Sequence, residues 1–335
     1  MRSLLKNLIN ILIRLVNRFV GGYISITKRP IYTERVFLKP REVSLPKKLA
    51  VVIQGPLKHE DSFTLETVRL YKKTLLPSTH IIVSTWEDED LNTLNELRAL
   101  GVHVITSSKP SVNGILNINY QITSVKNALV KAEELGVEYV IKTRTDTRIY
   151  ATNVEEYLCG LLKAFPANSQ YDQKNRIVGL SLNSNLYRMY NLSDLILFGN
   201  LYDMSKFWNA PLDARTEEPP RPKNTLREWS ELRMVETYLA SHYLEKIGRT
   251  LKWTVEDSFQ ALAENFIIID EQSLDLFWYK YKYWKEYRNK DYSYEKNDVL
   301  ITFQDWISLY SNYDNLVNIP EQAVELPFKS EIQKK

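Results

Sequence analysis

LAVVIQGP, residues 49–56, decides the fold class. Five apolar residues and a glutamine run without alternation into Gly55-Pro56, as in a strand buried on both faces; a strand with one wet face would alternate polar and apolar side chains. The same rhythm continues outward from it. Asp61–Leu75 reads as a helix with Leu65, Val68 and Tyr71 inward and Asp61 as its N-cap. His80–Thr85 is a second strand, and Leu91–Leu100 a helix with leucines at 91, 94, 97 and 100, stopped by Gly101. Val102–Thr106 and Glu138–Lys142 are the next strands, separated by a long helix over Asn117–Leu135 that Gly136 closes. A helix over Asn153–Phe165 follows, then strands over Arg176–Leu182 and Ser193–Gly199. Three successive strand–helix units imply an α/β fold with a mostly parallel central sheet sandwiched by helices.

In such sheets ligands bind beyond the carboxyl ends of the strands. The residues at those ends are Gln54, Gly55 and Pro56 after the first strand and Ser84, Thr85 and Trp86 at the second. The third leads to Ser107-Ser108-Lys109 and a loop ending Asn113-Gly114, and the fourth to KTRTDTR, residues 142–148. Trp86 suits stacking on a base or sugar, or equally a core aromatic. Arg144 and Arg148 suit neutralising phosphate and Asp146 holding a divalent cation; the same string also fits a salt-bridged strand end. GxGxxG and GxxxxGK[ST] are both absent, which removes the usual dinucleotide and P-loop phosphate sites. The run Glu87–Asp90 precedes a helix, where acidic residues favour the dipole more than a metal.

The 335-residue chain has a formal net charge of +3. Residues 1–48 hold eleven basic groups against Glu34 and Glu42, so the first 48 residues carry +9 and the rest −6. An acidic body argues against nucleic acid as a partner. Cys159 is the one cysteine and the histidines number four, which excludes a disulfide framework and His/Cys zinc chemistry and fits a reducing compartment. Its leucine neighbours suggest a buried thiol.

Met1–Tyr23 places Leu4, Leu5, Leu8, Ile11, Leu12, Leu15, Val16 and Phe19 on one side of a helix. Lys6, Arg14 and Arg18 fall on the other side, and Gly21-Gly22 stops the segment. Four charges interrupt it, so it does not read as a bilayer span, and no cleavage site of signal-peptide type follows. It reads as an interfacial helix on an anionic membrane surface, against the alternative of packing on the chain's own body or on a second copy. Residues 25–48, with Pro30, Pro40 and Pro46, form a linker to a catalytic body at 49–270, and 271–335 is an aromatic-rich extension. In that extension Trp278, Tyr279, Tyr281 and Tyr283 alternate with Lys280 and Lys282, which suits packing over the sheet or touching sugars.

VVIQGP (51–56), IIVSTW (81–86), KTRTDTRIY (142–150) and SDLILFGN (193–200), followed by Met204 and Trp208, together resemble the WavE-type lipopolysaccharide-synthesis proteins. The resemblance covers roughly residues 49–270. It implies a GT-A-like glycosyltransferase that moves a sugar, with inversion, from a nucleoside-diphosphate donor to a lipid-linked glycan acceptor of lipopolysaccharide core, O-antigen or capsule. The place of work is the cytoplasmic face of the plasma membrane, and oligomerisation is left open. It puts 142–148 in the position of a DxD motif, with Asp146 on Mg²⁺ or Mn²⁺. Because Arg148 stands where the second carboxylate is expected, Arg144 and Arg148 are the alternative carriers of the cation's charge. Glu236, at the start of an acceptor-side helix, is the first choice of base and Asp194 the second. Asn119 and Gln121, at the head of the long helix, are placed to read ribose or base, or to cap and pack. Residues 209–230 read as a loop beside the acceptor. Two rivals share the sequence: a polyol-phosphate transferase on the same fold, and a non-catalytic membrane scaffold.

Overall fold

A computed structural model describes residues 2–20, 27–36, 48–217, 225–281, 299–312 and 324–325. It divides into two units, Met1–Val36 and Phe37–Lys335. The first contains helix α1 (Arg2–Val20) and a 3-10 turn at Thr33–Arg35. Leu8, Ile11, Leu12, Leu15, Val16 and Phe19 are exposed along α1. Among the described residues no helix is long and apolar enough to cross a membrane. The expected Gly21-Gly22 stop and most of the linker, residues 37–47, lie outside the described residues, as do 282–298 of the extension.

The second unit is built on strands β1 (Leu49–Gln54), β2 (His80–Trp86), β3 (His103–Ser107), β4 (Tyr139–Arg144), β6 (Ile177–Leu180), β7 (Leu197–Asn200) and β8 (Phe266–Ile269). Their order across the sheet is β3-β2-β1-β4-β7-β6-β8, with β7 the antiparallel member. All six β1 residues are buried, as a central strand covered on both faces requires. On one face helix α2 (Phe63–Thr74) brings Tyr71 and Thr74 over Val51 and Ile141. On the other lies α4 (Ile118–Glu134), where Ser84 Oγ donates to the Ser124 carbonyl at 2.7 Å. Helix α6 (Leu201–Trp208) packs beside α4 on that same face, against β4 and β7. Helices α3 (Leu91–Ala99) and α5 (Val154–Ala164) complete the alternation.

The expected strands and helices through Phe165 are all present, with ends moved by one to two residues. Two local readings change. Asp61 and Ser62 take left-handed backbone (φ 55° and 49°), so Ser62 stands at the N-cap and the Asp61 carboxylate accepts instead from Tyr279 Oη at 3.0 Å. Of the α3 leucines, Leu94 and Leu97 are buried but Leu91 is 65% exposed at the mouth of the helix, where Asp90 caps it by accepting from Thr93 N. Cys159 is half-buried rather than sealed.

After β7 the chain departs further from its sequence reading. Of the expected 193–199 strand only residues 197–199 join the sheet, as β7, which runs on to Asn200. Helices α7 (Leu226–Glu231), α8 (Val235–Lys246), α9 (Val255–Asn265) and α10 (Phe303–Asn312) fill out the second half. The expected loop at 209–230 thus ends in α7, and its middle, 218–224, lies outside the described residues. A two-stranded sheet pairs β5 (Thr147–Ile149) with β9 (Leu276–Trp278) and ties the start of the C-terminal extension to the segment after β4.

Candidate functional site

The sheet reverses direction of growth at β1: the chain adds β2 and β3 on one side, then crosses back to place β4 on the other. This is the position where an open α/β sheet leaves a crevice beyond its strand ends. A cleft of about 810 Å³ lies there. Its floor comes from register: Gln54 and Arg144 are paired neighbours at the ends of β1 and β4, so their side chains emerge on the same face. Its walls are Pro56, Lys58, Glu60, Trp86, Lys109, Leu116, Asn117, Tyr120, Gln121, Thr145, Asp146, Tyr279 and Lys280.

Gly55 makes the turn off β1 with φ +123°, a conformation side-chain-bearing residues rarely adopt, and a Cβ there would stand 3.0 Å from Thr145 Oγ1. That hydroxyl donates to the Pro56 carbonyl at 2.6 Å, and Thr145 N donates to the Gln54 carbonyl at 3.0 Å. The QGP turn and the block after β4 are therefore one hydrogen-bonded unit.

Asp146 is the hub of the cleft. Arg144 Nε donates to its Oδ1 at 2.9 Å, an Arg144 Nη to Oδ2 at 3.2 Å, and the Trp278 indole N–H to Oδ2 at 3.0 Å. Burial alone would raise the Asp146 pKa; the charge and hydrogen bonds of Arg144, with the Trp278 bond, outweigh it and hold the carboxyl below its usual range. Tyr279 N also donates to the Asp146 carbonyl at 2.8 Å. Lys58 stands 3.4 Å from Glu60 and 5.0 Å from the centre of the Tyr279 ring, and Lys109 lies 2.5 Å from Asp88. Solvent-exposed pairs of this kind hold their ammonium groups weakly, by about 1 kcal/mol or less, so both lysines can turn to an anionic ligand.

At the other end of the cleft Trp86 is buried, edge-on to Tyr120 at 5.3 Å, and acts as a wall. Gln121 beside it carries a buried Oε1 with no hydrogen-bond partner among the described residues. Leu116 and Asn117, at the entry to α4, both take left-handed backbone, with φ of 51° and 64°. Strained backbone of this sort concentrates at ligand-binding edges.

Of the residues singled out from sequence, Gln54, Gly55, Pro56, Trp86, Gln121, Arg144 and Asp146 meet in the cleft. Arg148 does not. It is 2% exposed and donates to Thr67 Oγ1, the Phe63 carbonyl and Tyr150 Oη, which pins β5 to α2. Alternation explains this, since the extended β5 carries its side chain away from the cleft. Thr85 is buried and donates to Glu89 Oε1, which also accepts from Leu57 N at 2.7 Å, so it braces the cleft from behind. Asn119 exchanges hydrogen bonds with the backbone of Asp213, its Nδ2 donating to the carbonyl and its Oδ1 accepting from the N–H.

Neither candidate base lines the cleft. Asp194 is buried, with Oδ2 unpartnered, and its carbonyl receives Lys142 Nζ at 2.5 Å. Glu236 is half-buried in the first turn of α8. Just before α8, the Leu232 and Arg233 carbonyls accept from Arg215, which grips Asp213; Asp213 in turn accepts from the N–H of Ile115, the neighbour of the cleft residue Leu116.

The donor set does not fit a resident divalent cation. Asp146 alone offers a carboxylate at the DxD position, both its oxygens are engaged, and an arginine already supplies the positive charge. Among the described residues no group of three or more His, Cys, Asp or Glu is arranged to hold a metal.

The WavE lipopolysaccharide synthesis family matches residues 49–335. The chain belongs to that family. Its match runs past residue 270 to the C-terminus, so the part that carries Trp278, Tyr279 and Lys280 is family sequence as well. Solved structures similar to this WavE-family chain include a cytidylyltransferase from Leptospira borgpetersenii (13% identity, TM-score 0.29, covering 48% of this chain and 63% of that one). TarS from S. aureus is similar at 12% identity and TM-score 0.36, over 64% of this chain and 38% of that one. A putative glucose-1-phosphate thymidylyltransferase from Bacillus anthracis is similar at 11% and 0.31, over 61% and 97%. The chain thus spans under two thirds of the cytidylyltransferase it matches. No curated protein sequence matches it.

Lys109, one of the strand-end residues, also lines the cleft, and Lys58, Glu60, Tyr120, Tyr279 and Lys280 are further cleft residues. Lys58 and Lys109 follow strand ends and were accessible to the strand-end rule. Tyr279 and Lys280 arrive through the β5–β9 pairing, and only their aromatic–basic alternation marked them.

Proposed function

We propose that the chain is a glycosyltransferase of surface-glycan synthesis, transferring a sugar from a nucleoside-diphosphate donor held in the cleft to a lipid-linked glycan. The observation that supports it most is the joining of cationic and amide groups in one crevice at the reversal point of the sheet. Arg144, Lys58, Lys109 and Lys280 face the diphosphate. Tyr120 and the Gln121 amide, whose Oε1 has no partner among the described residues, take the base and ribose, with Trp86 as the wall behind. Positive groups fixed where the leaving diphosphate gains charge stabilise the transition state without reorganising. Glu236 is preferred to Asp194 as acceptor base, since a base must reach an incoming hydroxyl and Asp194 is buried.

The exposed apolar side of α1, with Arg14 and Arg18, suits an anionic membrane surface that carries the acceptor. Deleting residues 1–24 should abolish co-sedimentation with anionic liposomes; equal sedimentation of both forms would remove the anchor.

A thermal-shift screen of nucleotide-sugars tests the main reading, because a donor at a hundred times its Kd stabilises the fold by about 2.7 kcal/mol. No shift with any donor would overturn it. Slow release of nucleoside diphosphate from the stabilising donor supports sugar transfer, and release of nucleoside monophosphate would favour the polyol-phosphate alternative. Glu236→Gln should lower transfer by about 10²–10⁴-fold with donor binding retained; normal turnover would remove it as base.

A further inference from the structure

We propose that this cleft binds its diphosphate through an arginine clamp and without a divalent cation, and that Asp146 and Trp278 are positioning residues which hold that arginine. The inference rests on the donor-site reading above and specifies its chemistry.

Two neighbouring phosphates can be neutralised by a divalent cation on carboxylates or by guanidinium and ammonium groups. The cleft has the parts of the second solution. Arg144 approaches Asp146 side-on, with two N–H groups on two oxygens, which fixes the plane of the guanidinium as well as its position. Trp278 donates to Oδ2 from a different strand, so the carboxylate is itself held from both sides. Tyr279 N fixes the backbone of Asp146, and Tyr279 Oη reaches across to Asp61 beside the QGP turn. A cation placed on Asp146 would compete for both of its oxygens with the Arg144 guanidinium. It would also lack the second carboxylate, whose place in the motif is taken by Arg148, and Arg148 points into the α2 packing. The lone acidic residue of the motif therefore serves the arginine. Lys58, Lys109 and Lys280 around the same cleft extend the cationic lining.

The test is equilibrium binding of the full chain to nucleoside diphosphates and nucleotide-sugars, in excess EDTA and then in millimolar Mn²⁺ or Mg²⁺, with Mn²⁺ alone followed by its free-ion EPR signal. The expected result is a Kd that changes less than about twofold between EDTA and metal, and no loss of the EPR signal on adding protein. Asp146→Asn and Trp278→Phe should weaken nucleotide binding about three- to tenfold, Arg144→Gln by more than tenfold, and each should remain insensitive to metal. A Kd tightened tenfold or more by Mn²⁺, with direct Mn²⁺ binding that Asp146→Asn abolishes, overturns the clamp while leaving the donor site standing. Silence toward every nucleotide in both conditions overturns the donor site and the clamp with it. The EDTA comparison on the unaltered chain needs no variant to fold.

Discussion

Two arginine–carboxylate clusters sit in the same unit and differ in what surrounds them. Arg249 lies between α8 and α9 with a side chain 3% exposed, bonded to Asp257 at 2.8 Å and to Glu264 at 2.5 Å. Tyr171 Oη accepts a third bond from it, and Tyr190 Oη donates to the far oxygen of Asp257. Arg144, bonded to Asp146, is 28% exposed and borders the cleft. The first cluster is closed to solvent: both carboxylates are bonded, only the Arg249 Nε is buried without a partner among the described residues, and the cluster ties α9 to the segments that carry Arg249, Tyr171 and Tyr190. The second opens on a cleft, where a ligand can add to it. One chemical pair thus serves cohesion when sealed and recognition when it borders solvent, and the difference lies in access.

The sharpest way to break that contrast is Arg249→Met, which leaves Asp257 and Glu264 buried without counter-charge. It should cost about 3–5 kcal/mol in denaturant unfolding, and a loss below 1 kcal/mol would deny the cluster its role. Next is Lys142, fully buried, with one hydrogen bond to the Asp194 carbonyl and its ammonium 4.8 Å from the centre of the Trp208 ring. Burial lowers its pKa to about 8. The folded chain therefore binds this proton less well than the unfolded chain. Below pH 8 the penalty is fully present, and stability rises as pH climbs from about 8 toward the ordinary lysine value near 10.4. Lys142→Met should stabilise the fold at pH 7 by up to roughly 3 kcal/mol and flatten that rise, read from unfolding curves at pH 7 and pH 10.

In acid the two clusters should part company. Asp257 is buried and Asp146 half-buried, and desolvation raises both pKa values; bonds from Tyr190 and Arg249 in one case, and the charge and bonds of Arg144 in the other, outweigh it and depress both. A depressed carboxyl contributes stability above about pH 4 that is lost as pH falls through the folded value. Asp257→Asn should remove more of the acid-side slope than Asp146→Asn, measured as unfolding free energy from pH 7 to pH 2. Equal slopes would mean that the cleft pair is as structural as the sealed one. The smallest stability effect belongs to Arg144→Gln, about 1 kcal/mol or less by thermal unfolding, which contrasts with its large expected loss of nucleotide binding.

How much could be read in advance depended on how local the cause was. LAVVIQ, HIIVST and EYVIK are apolar because both faces are covered, and the helices between them end at Gly101 and Gly136, whose positive φ the stops required. Strand ends are sequence-local too, so Gln54, Gly55, Pro56, Trp86, Arg144 and Asp146 were identifiable from the strand-end rule. Arg148 misled because KTRTDTR does not reveal that the chain turns at Thr145-Asp146 and re-enters a strand, which sends the second arginine into the α2 packing. For Asn119 the sequence left reading a ligand and packing both open, and its partner, Asp213, 94 residues away, decides for packing.

By itself the sequence determined the parallel α/β class, the strand ends that build the cleft and the partition of charge between tail and body. Each follows from side chains within a few residues of one another. Only the tertiary structure decided that Asp146 belongs to Arg144 and Trp278. The indole N–H reaches that carboxylate from 132 residues away through the pairing of β5 with β9. Hydrogen bonds are short-ranged and directional, so such partners are chosen by strand register in space, which spacing along the chain does not carry.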